Sequence, residues 1–306
     1  MDISTNIAGI NLTNPTMLAS GIMGVSRASL NNVIKNGAGA CVIKSISLEE
    51  RAGHAAPNII TFAGGMMNAI GYSNPGVDQA KKEFSDLKDL SAPIIASIIG
   101  QDEKEFAMMA EKFLPGEFAA VELALSCPHT PGYGTLAGQN TPRNTEKITR
   151  AVKENTKLPI FVKISPDSQP IGEVAKAAEA GGADAITATN TMGPGMIIDI
   201  QTGQPILDFK IGGISGPALH PIAVRCIYDI YKSVTIPIIG CGGVTYGKDA
   251  LAMLMAGASA VQIGTGIYYR GLEVFKKVTQ EIKDFMQDKK YKSLKDFIAL
   301  THKLEK

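Results

Sequence analysis

One phrase occurs three times along this 306-residue chain and constrains its fold most strongly. In each copy a helical stretch ends at glycine, small residues follow, and a short apolar strand comes next. The copies are GAGACVIKS at residues 37–45, GGADAITA at 181–188 and GASAVQIG at 257–264. Glycine often follows the end of a helix because it adopts left-handed backbone conformations without strain. The three copies therefore predict a chain built from repeated βα units.

Five further apolar segments bring the number of predicted strands to eight. They alternate with amphipathic stretches that we interpret as helices, for example residues 103–113, 145–155 and 222–232. The five strands are residues 16–21, 93–98, 119–125, 159–164 and 236–240. Continuous apolar strands separated by helices indicate a parallel sheet covered on both faces. Eight units in one chain favour an α/β fold of the (βα)8 TIM-barrel type over an open, doubly wound sheet.

The remaining segments are interpreted around that barrel. Residues 6–15 alternate apolar and polar side chains as a β-hairpin does, and we expect this hairpin to cap one end of the barrel. Two connections, residues 45–76 and 191–217, are too long for plain βα loops and are expected to extend over the C-terminal mouth, because long loops are usually functional. Residues 272–306 are expected to form two amphipathic helices. No linker-like stretch divides the chain, so residues 1–306 are predicted to be one cofactor-binding domain.

The charge balance indicates a small-molecule ligand. Thirty Lys and Arg residues face 29 Asp and Glu residues, so the net charge of +1 creates no field that would attract nucleic acid or an anionic membrane. No apolar run approaches the length of a membrane span. The first residues, Met1 to Ser4, lack the basic start and apolar core of a secretory signal. We therefore expect a cytoplasmic protein with neither nucleic-acid nor membrane partners.

The cysteines and histidines show no metal-binding pattern. The four cysteines have no CxxC spacing, and the four histidines form neither HxxxH nor HExxH. They are Cys41, Cys127, Cys226, Cys241, His54, His129, His220 and His302. The sequence therefore predicts no zinc site and no iron–sulfur cluster in this chain.

Cys127 stands at the end of a predicted strand. The apolar run 119–125 leads into Ser126-Cys127-Pro128, and the proline ends regular structure just after the thiol. In α/β barrels the C-terminal ends of the strands carry the chemistry. Taken alone, a free cysteine is more often a small buried hydrophobic residue, so the other strand ends must decide between packing and catalysis.

The C-terminal ends of all eight strands meet at one mouth of a barrel. The residues at these ends are Ser20-Gly21, Lys44-Ser45, Ser97, Cys127, Lys163, Asn190-Thr191, Gly242-Gly243 and Gly264-Thr265. Burying a lysine without a negative partner is costly, so the two lysines should meet an anion or an electron-rich ring, unless their stems carry them to solvent. The glycines after the last two strands leave backbone N–H groups open to phosphate, as barrels often do. A phosphate-bearing cofactor beside a thiol and amides indicates a flavin enzyme, in which a side chain removes a proton as hydride leaves.

Several longer motifs match a known family. They are GGMMNAIGYSNPG at residues 64–76, SCPH at 126–129, FVKISP at 161–166, GGISGPAL at 212–219 and GCGGV at 240–244. On these motifs nearly the whole chain resembles the class 1 dihydroorotate dehydrogenases, most closely the class 1B catalytic subunits. The resemblance implies an (αβ)8 barrel with FMN at its mouth that oxidises dihydroorotate to orotate in pyrimidine biosynthesis.

The resemblance also implies roles for individual residues. FMN would be held by Ser20, Lys44, Ser45, Ser97, Lys163, Thr189, Gly216, Gly242, Gly243, Gly264 and Thr265. The substrate would lie among Lys44, Asn68, Ala69, Ile70, Gly71, Tyr72, Asn190 and Thr191. Cys127 would be the general base, and residues 131–141 would form a lid that excludes water. Because a free thiol has a pKa of about 8.5, the site must lower that pKa or operate best at alkaline pH.

Class 1B resemblance implies partners as well. The catalytic chain would form a homodimer core, together with an electron-transfer subunit that carries FAD and a [2Fe-2S] cluster and passes electrons to NAD.

One position departs from the family. The family usually has asparagine three residues before the base, where it contacts flavin and substrate, whereas this chain has Ala124. The departure puts substrate affinity or turnover rate in question.

Three alternatives remain open at the level of sequence. A dihydropyrimidine dehydrogenase shares an SCPH-like segment but reduces uracil or thymine, which need no cationic group for a carboxylate. A dihydrouridine synthase also pairs FMN with a cysteine, but the net charge of +1 and the lack of a basic extension argue against a tRNA substrate. A non-catalytic FMN-binding or assembly subunit is the third alternative, and Ala124 keeps it open.

Overall fold

Short strands and helices alternate along the chain in the computed structural model, which describes residues 1–115, 117–125, 140–168 and 170–304. The strands are β1 (Thr5–Ile7), β2 (Ile10–Leu12), β3 (Thr16–Leu18), β4 (Ala40–Val42), β5 (Ile59–Phe62), β6 (Gly65–Asn68), β7 (Ile94–Ile98), β8 (Ala120–Ala124), β9 (Ile160–Ile164), β10 (Ala185–Ala188), β11 (Met192–Gly195), β12 (Ile198–Asp199), β13 (Gln204–Pro205), β14 (Gly212–Ser215), β15 (Ile238–Cys241) and β16 (Ala260–Ile263). The helices are α1 (Arg27–Lys35), α2 (Gly76–Glu83), α3 (Glu103–Phe113), α4 (Pro142–Asn155), α5 (Ile171–Ala180), α6 (His220–Tyr231), α7 (Gly247–Met255), α8 (Gly266–Arg270), α9 (Val274–Asp288) and α10 (Leu300–Lys303).

Eight parallel strands close into a barrel in the order β3-β4-β7-β8-β9-β10-β15-β16, and β16 pairs with β3 to complete the ring. Each barrel strand lies within or overlaps one of the eight segments predicted from the sequence. The predicted TIM barrel is therefore confirmed, and the open, doubly wound alternative is wrong. Because every barrel strand runs in the same direction, all their C-terminal ends lie at one mouth.

The N-terminal hairpin closes the opposite end of the barrel. Strands β1 and β2 pair antiparallel, as predicted. Ile7 and Leu12 are buried and pack in one cluster with the inward-facing side chains of the barrel, including Met17, Phe161 and Ile239. An apolar plug thus fills the bottom of the barrel, and the mouth at the other end is left for a ligand.

Helices pack around the barrel through their apolar faces and have recognisable starts. Asp102 caps α3, where its carboxylate accepts hydrogen bonds from the backbone of Lys104 at 3.0 Å and Glu105 at 2.9 Å. Proline occupies the first turn of α4, where it costs no hydrogen bond. The predicted C-terminal helices correspond to α9 and the short α10. Within the described ranges, no helix is both long and apolar enough to cross a membrane.

The two long connections contain more structure than the sequence predicts. They supply β5 and β6 from the first and β11 and β14 from the second, and these four strands form one antiparallel sheet in the order β11-β14-β6-β5. The second connection also forms the small hairpin β12–β13. Strands β6 and β14 lie about 150 positions apart in sequence, so their pairing leaves no local signal. This sheet stands over the barrel mouth and forms part of the site.

Candidate active site

A cavity of about 440 Å³ opens at the barrel mouth, a volume within the usual range for small-molecule sites. Ends of the barrel strands and the sheet above them line it together. The predicted site residues that line it are Ser20, Lys44, Ser45, Asn68, Ala69, Ile70, Gly71, Tyr72, Lys163, Thr189, Asn190, Thr191, Gly242, Gly243, Gly264 and Thr265. Ser97 and Gly216 do not line the cavity themselves, but each contacts a residue that does. Ser97 contacts Ser45, and Gly216 contacts Gly243. The structure thus gathers residues from across the sequence into one site.

Three serine hydroxyls lie together where β3, β4 and β7 end. The hydroxyl of Ser45 is 3.0 Å from that of Ser20 and 2.8 Å from that of Ser97. Ser97 is fully buried, so it contacts the lining serines and not the cavity itself. Each hydroxyl both donates and accepts, which lets this group turn a donor or an acceptor toward a polar ligand.

Glycines leave the backbone without side chains beside β15 and β16. Gly242 and Gly243 have φ values of 135° and 74°, conformations that favour glycine. A Cβ at Gly243 would lie 2.6 Å from the carbonyl oxygen of Gly216, so the two backbones are in close contact. At Gly264 a Cβ would meet only the Cβ of Ala19, at 3.5 Å, so the protein itself does not require glycine there. Bare backbone with free space in front of it fits the phosphate end of a flavin nucleotide.

A buried polar network surrounds the end of Lys163. Its Nζ lies 2.9 Å from Oε1 of Gln262 and 3.3 Å from Oε1 of Glu122. The other carboxylate oxygen of Glu122 accepts hydrogen bonds from Gln262 at 2.6 Å and from Thr187 at 2.9 Å. Glu122 is 0% exposed and Lys163 is 5% exposed, which makes them a desolvated ion pair with further polar partners. The expectation that Lys163 meets an anion is confirmed, and the anion is a carboxylate of the protein.

The charges in this network are fixed by their surroundings. Burial acts to lower the pKa of Lys163, but Cys241 and Glu122 act to raise it, and the balance lies above the ordinary value. Burial also raises the pKa of Cys241, which keeps that side chain a neutral thiol near pH 7. The carboxylate of Glu122 is the ionic partner that lies within contact distance of the Lys163 ammonium. A stable ammonium at the cavity wall can stabilise electron density on a bound ring.

Residues 68–72 form one wall of the cavity, above the barrel. Asn68 is the last residue of β6, the next four residues have no regular structure, and all five line the cavity. Asn190 and Thr191 follow β10 and also line it. Lys44, two residues after β4, adds a second cationic side chain to the lining. Amides and a cation around one cavity suit a planar, hydrogen-bonding, anionic ligand.

Ala124 ends β8 and lines the cavity with an apolar surface. It is 6% exposed and forms a small cluster with Ile99, against which Tyr72 packs. In the neighbouring strand it lies opposite Lys163. A longer side chain at this position would enter the cavity near that lysine.

Some predicted features lie outside the described residues. These are Cys127, the SCPH segment, and the lid except its last two residues, Asn140 and Thr141.

Sequence reasoning did not identify several residues of the site, namely the partners Glu122, Gln262 and Thr187 and the lining residues Ser215 and Cys241. Ser215 accepts a hydrogen bond of 2.7 Å from Thr265. A usable signal existed for Glu122, because a charged residue within an apolar barrel strand requires a buried partner.

The chain is similar to known proteins along nearly its whole length. A family model for dihydroorotate dehydrogenase matches residues 2–286. The dihydroorotate dehydrogenase B (NAD(+)) catalytic subunit of Methanothermobacter thermautotrophicus is 45% identical over 302 residues, 98% of this chain and 98% of the relative. The subunit of the same name from Methanocaldococcus jannaschii is 43% identical over 304 residues, with 98% of each chain covered. The crystal structure of an Eimeria tenella dihydroorotate dehydrogenase with ferulenol shares the fold, with a TM-score of 0.84 at 24% identity over 98% of this chain and 89% of that one.

Proposed function

The chain belongs to the dihydroorotate dehydrogenase family, and we propose that it oxidises dihydroorotate to orotate in pyrimidine biosynthesis, with FMN bound at the barrel mouth. One observation carries the proposal: a single cavity brings together side-chain-free backbone after β15 and β16, the buried Lys163 and the amide-lined wall at residues 68–72. The bare backbone suits the phosphate of FMN, Lys163 suits the flavin ring, and the wall suits the substrate. We place the reaction in the cytoplasm, in accord with the sequence.

The residues of the cavity suit FMN in particular. The phosphate would lie against Gly242, Gly243, Gly264 and Thr265, where the backbone is bare and a hydroxyl is present. Lys163 would lie at the ring, with Glu122 as its ionic partner. When bound, the flavin supplies the acceptor for the hydride that leaves dihydroorotate.

The substrate would be held by the other side of the cavity. Lys44 supports a substrate with a carboxylate, since the cation can pair with it. The amides of Asn68 and Asn190 offer donors and acceptors to a pyrimidine ring. This combination favours dihydroorotate over dihydrouracil, which has no carboxylate.

We assign the proton transfer to Cys127. The proton to be removed is on the carbon next to a ring carbonyl, so a base positioned there can take it as the hydride leaves the adjacent carbon. A thiol must first lose its own proton, so the rate should rise with pH as the thiolate becomes populated.

Electrons must leave the chain after each turnover. As a class 1B catalytic subunit the chain acts with an electron-transfer subunit, and we propose that this partner carries FAD and a [2Fe-2S] cluster and reduces NAD. We also propose a homodimer of catalytic chains at the core of the complex. Both features rest on the family resemblance, and the lack of any cluster motif in this sequence accords with a cluster on another subunit.

A comparison of two substrates tests the proposal. Purified, flavin-loaded protein is given dihydroorotate or dihydrouracil with an artificial electron acceptor, and formation of the oxidised pyrimidine is followed by its absorbance. We expect turnover of dihydroorotate at least a hundredfold faster, and release of FMN on denaturation. Faster turnover of dihydrouracil would point to the dihydropyrimidine dehydrogenase reaction, and release of FAD alone would contradict the assigned cofactor.

A further inference from the structure

The cavity wall at residues 68–72 is held in place by a neighbouring stretch of chain, residues 51–58. The backbone N–H of His54 donates to the carbonyl of Ile70 at 3.0 Å, and that of Ala69 donates to the carbonyl of Asn58 at 2.8 Å. Arg51 and Asn74 exchange two backbone hydrogen bonds, at 2.9 and 3.0 Å. After Asn68, the last residue of β6, the wall has no regular structure, so these contacts help to set its position relative to the barrel.

The side chain of His54 makes three further contacts with this region. Its Nδ1 lies 3.0 Å from the carbonyl oxygen of Ala69, and because a carbonyl only accepts, Nδ1 carries the hydrogen. Its ring stacks on Phe209 with centroids 3.9 Å apart and planes 8° from parallel. Its Cγ and Cδ2 lie so close to Gly71 that a Cβ there would approach them to 2.9 and 2.8 Å.

Phe209 anchors the other side of this arrangement. It packs against a cluster that contains Met67 and Leu207, and Met67 belongs to β6, the strand that leads into the wall. The ring of His54 therefore connects the apolar base of the sheet to the backbone of Ala69 and Gly71. His54 itself does not line the cavity, so any effect on a ligand must pass through those two residues.

We propose that His54 is a positioning residue for substrate: its ring, stacked on Phe209, holds the carbonyl of Ala69 and the backbone of Gly71 so that the wall at residues 68–72 fits orotate. The inference rests on the proposed function, because orotate is the ligand that the wall is assigned to bind. It adds a residue that does not line the cavity and that no sequence motif singled out.

Two substitutions separate the hydrogen bond from the stacking. His54→Phe keeps a ring on Phe209 but removes the donor to Ala69, whereas His54→Asn places an amide nitrogen where Nδ1 was and removes the ring. The readout is the dissociation constant of orotate, measured by calorimetry on flavin-loaded protein, together with FMN content and melting temperature. We expect His54→Phe to weaken orotate binding about tenfold, the size of one lost hydrogen bond, and His54→Asn to stay within about threefold of the parent.

His302 provides a matched control. Its Nε2 lies 2.9 Å from the carbonyl of Ala256, and its ring stacks on Tyr228 at 4.3 Å, but it does not line the cavity or contact its wall. His302→Phe should therefore lower the melting temperature without changing orotate binding. Should His54→Phe fail to fold, Phe209→Leu removes the stacking partner instead and should weaken orotate binding several-fold with FMN retained.

The outcomes separate this inference from the proposed function. A parent protein that binds no orotate refutes the proposed function itself. If the parent binds orotate and either His54→Phe binds it equally well or His54→Asn loses as much affinity as His54→Phe, the positioning role of the hydrogen bond is refuted. If His54→Phe and His302→Phe lower FMN content and melting temperature equally, and neither changes the dissociation constant of orotate, then His54 has only a structural role.

Discussion

At the scale of single residues, the most consequential contact is the buried pair of Lys163 and Glu122. A lysine at a barrel mouth can act on a bound ring only while it keeps its proton, and burial alone works against that proton. Cys241 and the carboxylate of Glu122, which lies 3.3 Å away, oppose that effect, and the pKa of Lys163 lies above its ordinary value. Gln262 and Thr187 satisfy the carboxylate further, so the network is polar but fully engaged.

Glu122→Gln should reveal what this pair contributes. The change leaves the Lys163 ammonium buried without its counter-charge, and we expect a loss of about 3 to 5 kcal/mol in the free energy of unfolding. The pKa of Lys163 is raised in the folded state, so the stabilisation is fully present below the ordinary value of 10.5 and is lost as pH rises through the higher folded-state pKa. Denaturant titrations should therefore show the two proteins converging above about pH 10.5.

A surface pair serves as the control for that experiment. Glu146 and Arg150 form an exposed ion pair at 2.6 Å on α4. Glu146→Gln should cost less than about 1 kcal/mol because solvent screens the pair. Equal losses in Glu122→Gln and Glu146→Gln would contradict the role given to burial.

Ala124 gives a second prediction at this scale. Its methyl group faces the cavity beside Lys163, in a position where an amide would meet a ligand. We expect Ala124→Asn to tighten orotate binding, or to speed flavin reduction, at least several-fold, because a new hydrogen bond contributes roughly 1 kcal/mol. FMN content and melting temperature should be unchanged. Binding and turnover no better than in the parent would mean that Tyr72 and Ile99 already complete this part of the site.

The cysteines should differ sharply in reactivity. Burial raises the pKa of Cys41 to about 12 and that of Cys226 to about 11, and it also raises the pKa of Cys241. Since the thiolate is the reactive form, iodoacetamide at pH 8 should label Cys127 and leave these three intact. Peptide mapping by mass spectrometry measures the sites directly. Labelling of Cys41 or Cys226 under those conditions would contradict their described burial.

At the scale of elements, the turn after β15 is where backbone conformation bears most directly on the site. Gly243→Ala should weaken FMN binding at least tenfold, because the new Cβ would collide with the Gly216 carbonyl and displace both backbones. Gly271→Ala is a close match, with φ of 69° against 74°, but it has open space around it. It should lose about 1 kcal/mol of stability and keep its FMN affinity. Fluorescence titration of FMN into both apoproteins measures the difference, and equal affinities would rule out a cofactor role for this turn.

The secondary-structure elements also differ in whether they can be predicted from the sequence. The barrel strands were predictable because each is a local apolar run bounded by glycine or proline, and α3 was predicted with its observed limits, Glu103–Phe113. The sheet β11-β14-β6-β5 was not predictable. Met67 pairs with Ile214, but nothing in the sequence around either residue indicates that pairing. The same limit applies to the site. Strand ends identified Lys163, whereas Gln262, 99 positions away, becomes its partner only when the barrel closes.

At the scale of the whole molecule, catalysis depends on passing electrons onward. The isolated chain should oxidise dihydroorotate with an artificial dye but reduce NAD only when the electron-transfer subunit is added. The two subunits are reconstituted and NADH formation is followed by its absorbance, which tests whether NAD reduction requires the electron-transfer subunit. Rapid NAD reduction by the catalytic chain alone would contradict it.

The most direct test of the central claim is a single anaerobic turnover. Flavin-loaded protein is mixed with dihydroorotate in the absence of any acceptor, and flavin absorbance and orotate formation are recorded together. We predict that the flavin bleaches with one orotate formed for each flavin, and that Cys127→Ala slows this bleaching on the order of a hundredfold or more while FMN remains bound. Flavin that stays oxidised with dihydroorotate but bleaches with dihydrouracil would contradict the proposed reaction, and an unchanged rate in Cys127→Ala would remove that residue from it.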